Sequence, residues 1–222
     1  MKVRTPLDRE ALMQGARQLA ARPGGGSVSL RDLGKLLGVD HTALYRHVRN
    51  KEELVRMLLD SMLQQAVDAV TAPEEDWQER LMQFAAAVRD VFVQYPAIGS
   101  EAVVLSTYGE GELNAMELMM AAFHTAGLRD DELVRHYGLF SSFTLARAAG
   151  IARSRAARGV AREASVPWMD APLHAGAAQP LVGRWREQIL GLVDDDLYEQ
   201  GARTIVDSAA RAARTHPAET PS

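Results

Sequence analysis

Across almost the whole of this 222-residue chain the apolar residues recur at intervals of three and four, and no stretch alternates convincingly as a half-buried strand would. Leu12, Ala16 and Leu19 share one helical face, Leu30, Leu33, Leu36 and Leu37 a second, and Leu54, Leu58, Met62 and Leu63 a third. Trp77, Leu81, Phe84, Val88, Val91 and Tyr95 trace a fourth, and Leu113, Met116, Met120 and Phe123 a fifth. That period predicts an all-α fold, in which apolar stripes bury one another. With 47% hydrophobic and 24% charged residues, the chain has enough apolar surface for a core. No apolar run approaches the roughly 20 residues of a membrane span, and the opening MKVRTPLDREALMQ lacks a signal-peptide core. A cytoplasmic protein is expected. The absence of cysteine excludes disulfides and thiolate metal sites.

Breaker residues divide the pattern. Residues 8–21 read as a helix stopped by Arg22-Pro23-Gly24-Gly25-Gly26. Ser29 caps a helix over 29–37, and Gly38 suits the left-handed conformation that ends it. Asp40 caps a third helix over 41–48. Asn50, three residues ahead of Glu53, opens a fourth over 50–70 with a capping-box-like start. Thr71-Ala72-Pro73 marks a boundary, which divides the chain into 1–50, 51–70, 71–214 and a loose Pro-rich tail, 215–222. Beyond it a long helix ends at Pro96, the next ends at Gly127, and a third covers 130–155. A stretch broken by Pro and Gly, 165–180, precedes two last helices over 181–192 and 197–214.

Two helices joined by a Gly-containing turn, the second of them short, form a helix-turn-helix. In SLRDLGKLLGVDHTALYRHVRNKEEL the packing positions Leu33, Leu37, Val39 and Leu44 are apolar, while His41, Thr42, Tyr45, Arg46 and His47 face outward. These are donors and acceptors suited to base edges and phosphates. A solvated amphipathic hairpin would show a Glu/Lys mixture instead. Lys51 opens the fourth helix, where a cation opposes the helix dipole unless it faces a phosphate. The overall charge of −4 conceals an asymmetry: residues 1–70 carry +3 and the remainder −7. Phosphate contact is therefore compatible with one end only.

The run GVDHTALYRHVRNKEELV resembles the recognition-helix region of the TetR family of bacterial repressors, and its LYxHVxNK core is most similar to the tetracycline-repressor branch. The resemblance runs from about residue 8 to 63; Asp76-Trp77-Gln78, Phe143-Thr144-Leu145 and Tyr198-Glu199-Gln200-Gly201 extend it in pattern. It implies that residues 1–50 bind double-stranded operator DNA, that 51–70 connect, and that 71–214 bind a small molecule and dimerise. His41, Thr42, Tyr45 and His47 would face the operator, Arg31 would reach a base, and Tyr45 and Lys51 would bind phosphates. Leu30 stands where that branch has a phosphate-binding hydroxyl, and Arg46 replaces an aromatic residue, adding a guanine or phosphate contact. A palindromic operator would need a homodimer, paired through residues 130–155 and 197–214, where Ala146, Ala148, Ala149, Gly150, Ala209 and Ala210 permit close approach.

The same resemblance implies an effector site. Its positions here are Val67, Phe84, Val88, Ala102, Leu105 and Ser142; the metal-binding histidine of the branch falls on Ala102 and its acidic partner on Gly150. This disfavours a magnesium–tetracycline ligand, and no metal or cofactor is expected. Met116, Met119, Met120, Phe140, Phe143 and Trp168 complete a mostly apolar lining, suited to a hydrophobic metabolite or antibiotic that would release the repressor. The helix over 50–70 would be the physical link. Each of these residues also suits an ordinary core.

Two other functional classes compete with this reading. A ligand-independent DNA-binding or protein-interaction module would differ in never being released by a small molecule. A helical enzyme would need convergent groups, yet His124, His136, His174 and His216 are scattered, and Ser141 and Ser142 lack a nucleophile elbow. Gly24-Gly25-Gly26 lacks the strand and Lys-Ser/Thr of a phosphate loop. Asp194-Asp195-Asp196 reads as the cap of the last helix. No catalytic residue is expected.

Overall fold

A computed structural model describes residues 8–22, 28–99, 101, 105–158 and 179–215. The 165–178 part of the Pro/Gly-punctuated stretch, Gly24-Gly25-Gly26, His174, His216 and most of the tail lie outside the described residues. Among the described residues there is no extended strand, and eleven helices account for the fold.

Helices α1 (Arg9–Ala20), α2 (Leu30–Leu37) and α3 (His41–Leu44) form the head. Each starts on a cap that the sequence supplies: Asp8 accepts from Ala11 N–H at 2.7 Å, Ser29 from Asp32 N–H at 3.1 Å, and Asp40 from Thr42 N–H at 2.8 Å. Gly38 ends α2 at φ 66°, with the Val39 N–H closing back on Gly34 O at 3.0 Å. The third helix is shorter than the expected 41–48. After Leu44 it tightens into three-residue turns, Tyr45 N–H to Thr42 O and His47 N–H to Leu44 O (3.3 and 2.9 Å). Four residues are too few to hold a helix alone, so Leu44 and Val48, both buried in the head core, keep it in place.

Helix α4 (Lys51–Asp68) runs out of the head along α5 (Trp77–Gln94) and α7 (Glu110–Thr125). Tyr95 breaks α5 at φ −123° and Pro96 opens the short α6 (Pro96–Gly99). Helix α8 (Asp130–Arg158) packs on α5, α6 and α7, and α11 (Asp194–Thr215) closes against α5 and α8. The body core is aromatic. Phe84, Phe92, Phe123, Phe140 and Tyr198 are all fully buried, and Phe123 meets Phe140 edge-on at 6.0 Å.

Three further expectations need correction. On α7 the buried face is Ala115, Leu118, Met119, Ala122 and Phe123, whereas Leu113 is 61% exposed. Helix α7 touches α4, α5 and α8 together, so the face that those neighbours select outweighs the more hydrophobic stripe. The single helix over 181–192 is two, α9 (Pro180–Arg184) and α10 (Arg186–Leu190), broken at Trp185. No residue of either is buried, so nothing holds a continuous helix through the break. The last helix begins at Asp194 rather than 197, because its first turn is anchored from outside: Arg147 of α8 donates to Asp194 at 2.6 Å and Arg155 to Asp195 at 2.6 Å. Arg89 of α5 lies 4.0 Å from Asp195. His136 is a satisfied core histidine, with Nδ1 2.8 Å from Glu132 O and Nε2 3.4 Å from the Ser208 hydroxyl.

Candidate nucleic-acid interface

The outward residues of α3 are held there by what lies beneath them. Leu44 and Val48 turn inward against the core of α1 and α2, which leaves His41, Thr42, Tyr45 and Arg46 exposed and His47 half-buried. Tyr45 keeps 52% of its surface in solvent. Arg31, in the first turn of α2, and Lys51, the first residue of α4, are also exposed. Of the seven residues expected to contact DNA, four thus lie on α3 and its first following turn, with His47 beside them. The hydroxyl of Thr42 is already committed as a donor to Asp40 at 2.7 Å, so toward a base or phosphate it is left as an acceptor.

Spacing within the head depends on a glycine that no sequence motif marks. Gly34 faces the start of α3; a Cβ there would sit 3.1 Å from Val39 O and 3.2 Å from His41 N and Cα. The absent side chain is what lets α3 lie directly on α2. Only the distance between two helices exposes that role, since the residue itself sits in an ordinary helical period.

The carboxylates around this surface are structural. The Ser29 hydroxyl, which outweighs the effect of burial, holds Asp32 below the usual carboxylate range. Hydrogen bonds from Thr42 side chain and backbone do the same for Asp40, and those from Arg49 for Glu53. Glu53 does not complete the expected capping box on Asn50 itself. Asn50 accepts from Glu53 N–H at 2.8 Å, while Glu53 reaches one residue further back, to Arg49 N–H at 2.5 Å.

The residues expected around an effector are distributed unevenly. Phe84 and Val88 of α5, Met119 of α7 and Phe140 of α8 are buried in the body core. Val67, Leu105, Met116, Met120 and Phe143 are half-buried at its edges, Phe143 stacked on Tyr198 at 5.9 Å. Ser142 points away, exposed, its hydroxyl donating to Gly138 O at 2.6 Å. Ala102 and Trp168 lie outside the described residues. A cleft of about 1010 Å³ opens elsewhere, between α1, α4 and the turn at 107–111, with a lining of mixed polarity. Among the described residues no group of three or more His, Asp or Glu side chains is placed to hold a metal ion, and no helix is long and apolar enough to cross a membrane.

Comparison with known proteins gives two family matches that together span most of the chain. Residues 12–58 match the model of bacterial regulatory proteins of the tetR family, and residues 71–207 match the tetracyclin repressor-like C-terminal domain. An HTH-type transcriptional repressor from Mycobacterium tuberculosis is 27% identical over 217 residues, covering 94% of this chain and 82% of that protein. The class A tetracycline repressor of transposon 1721 from Escherichia coli is 25% identical, covering 93% and 92%. Among solved structures, Streptomyces coelicolor ActR in complex with actinorhodin shares the fold at a TM-score of 0.76 and 23% identity, covering 94% of this chain and 99% of that one.

Proposed function

The chain belongs to the TetR family of bacterial transcriptional regulators, and on that premise we propose that it is a cytoplasmic homodimeric repressor, bound to a palindromic operator through α3 and released by a small, largely hydrophobic effector. The observation that carries the DNA-reading part is the exposed His41, Thr42, Tyr45 and Arg46, on a helix too short to exist unless it is pinned from behind and on the turn that follows it. Residues 1–50 are the reading head, 51–70 the connection and 71–214 the sensing and dimerising body. Tyr45 and Lys51 contact phosphates, His41 and Arg31 contact bases, Arg46 contacts a guanine or a phosphate, and Thr42 and His47 face the operator beside them.

Two half-sites about one DNA turn apart need two heads on a two-fold axis. Helix α8 offers an outer face for this, with Val134 and Leu139 exposed beside Gly138 and Ala146. Ala148, Ala149 and Ala209 are buried within the chain, so the small residues of α8 and α11 divide between holding these helices together and leaving room outside. The effector reading rests on the apolar character of Phe84, Val88, Met119 and Phe140, and on relatives such as the one solved with actinorhodin.

The test starts with selection of duplexes from a random library, followed by titration of the recovered sequence. Tyr45→Ala and Lys51→Ala should weaken binding to all DNA, and Lys51→Ala, which removes a cation, should also lower the salt slope by about one. His41→Ala and Arg31→Ala should change the preferred sequence, by about 1–3 kcal/mol per lost base contact. If all four variants bind the selected duplex as the parent does, α3 is not the reading element.

A further inference from the structure

The connecting helix and the start of α7 are joined by a hydrogen-bonded latch that neither could form alone. Helix α7 has no cap of its own, because the residue before it is Gly109. Asp60, midway along α4, supplies the cap from a different helix. Its Oδ2 accepts from Gly111 N–H at 3.2 Å, and its Oδ1 accepts from Glu112 N–H at 3.0 Å and from the Thr107 hydroxyl at 2.7 Å. Glu112 turns back over the same segment, accepting from Thr107 N–H, Tyr108 N–H and the Ser106 hydroxyl, each at 2.8 Å. Arg56, one turn before Asp60, donates to Ser106 O, stacks 5.0 Å from the centre of the Tyr108 ring, and is itself held by Glu52 at 2.7 Å.

This junction is built for closeness. A Cβ at Gly111 would collide with the backbone of Asp60, and one at Gly109 with its carboxylate. Tyr108 holds φ at 57°, a conformation that costs a bulky residue energy and persists only where its surroundings impose it. The next residue along α4 faces the head: the Ser61 hydroxyl accepts from Arg17 of α1 at 2.6 Å. One step of α4 therefore grips the sensor body with Asp60 and the head with Ser61.

We infer that Asp60 is the positioning residue that couples the state of residues 106–112 to the position of α4, and through Ser61 and Arg17 to the reading head. The inference rests on the DNA-reading function proposed above. Loosening of the turn by events in the body frees α4 at this point; seating of the head on DNA tightens it. Coupling between two sites is reciprocal, so the latch can be tested from the DNA side with no effector at all.

The experiment is amide hydrogen exchange of the full chain, free and saturated with the duplex recovered by selection. In the parent, binding should slow exchange at residues 41–51, and also slow residues 107–112 by about fivefold or more. Asp60→Asn keeps the side chain's shape but turns an amide towards N–H donors. It should keep the protection at 41–51 and lose the duplex-dependent protection at 107–112. Thr107→Val removes one of the three bonds to Asp60 and should give an intermediate response if Asp60→Asn compromises folding. Duplex-dependent slowing at 107–112 that is absent in the parent, or unchanged in both variants, overturns the inference. An absence of protection at 41–51 in the parent refutes the DNA-reading function instead.

Discussion

Gly34→Ala puts one methyl group between the two helices of the reading head, and its effects on stability and on DNA binding separate. The new Cβ would lie 3.1–3.2 Å from the backbone of Val39 and His41, against an ordinary contact of 3.4 Å or more. Backbone cannot rotate aside as a side chain can, so α3 must withdraw by a few tenths of an ångström. Alanine returns about 1 kcal/mol of helix propensity to α2, while crowding costs about 1–3 kcal/mol. The net loss is about 0–2 kcal/mol, a fall in Tm of about 0–8 °C for a chain of this size. The displaced helix should lose the alignment of at least one base contact, about 1–3 kcal/mol or roughly 5- to 150-fold in operator affinity. Phosphate contacts tolerate such a shift, so binding to random DNA and the salt slope should be unchanged. Fluorescence anisotropy on the selected and a scrambled duplex, with a thermal melt alongside, measures all three. A folded variant with operator affinity within about twofold of the parent would show that the close approach at Gly34 does not set the reading geometry.

Two further outcomes follow from the body. Arg147→Ala leaves Asp194 buried without its ion-pair partner; urea unfolding should show a loss of about 3 kcal/mol, the low end for such pairs because Arg147 itself is 24% exposed. Replacing both members by apolar residues, Arg147→Met with Asp194→Leu, should recover most of it, and failure to recover would mean that the charges do more than balance each other. Burial pushes the Glu112 carboxyl up, but hydrogen bonds from Tyr108, Ser106 and Thr107 outweigh it and hold the group below its ordinary 4.5. A depressed carboxylate stabilises the fold above its unfolded value and loses that contribution as pH falls through the folded one. Glu112→Gln should therefore narrow the stability gap between pH 7 and the region below about 4.5 relative to the parent, in melts across that range; an unchanged gap would place the acid sensitivity elsewhere.

What could be read from the sequence was what is written locally. Ser29, Gly38, Asp40 and Asn50 each act within four residues of themselves, so the caps and turns of the head were legible with their positions. Gly34 and Asp60 act across space, Asp60 on residues 47 to 52 positions away, and no periodicity records such partners. The acid run at 194–196 was readable as the start of a helix, but its arginine partners, 40 and 47 residues earlier, were not. On α7 two helical stripes competed, and the choice belonged to the three helices that surround it.

The buried ion pairs at the start of α11 also bear on how the chain is made. Helices α5 and α8 leave the ribosome before α11, and until α11 arrives Arg147 and Arg155 lack the aspartates they pair with, and the Ala85 carbonyl lacks the Tyr198 hydroxyl that bonds it at 2.8 Å. Until then the desolvation cost of unpaired guanidinium groups opposes complete burial of that side of the body. The reading head, with local caps and its own buried leucines, is free to form early. A nascent chain halted before Asp194 would then carry a folded head on an unfinished body.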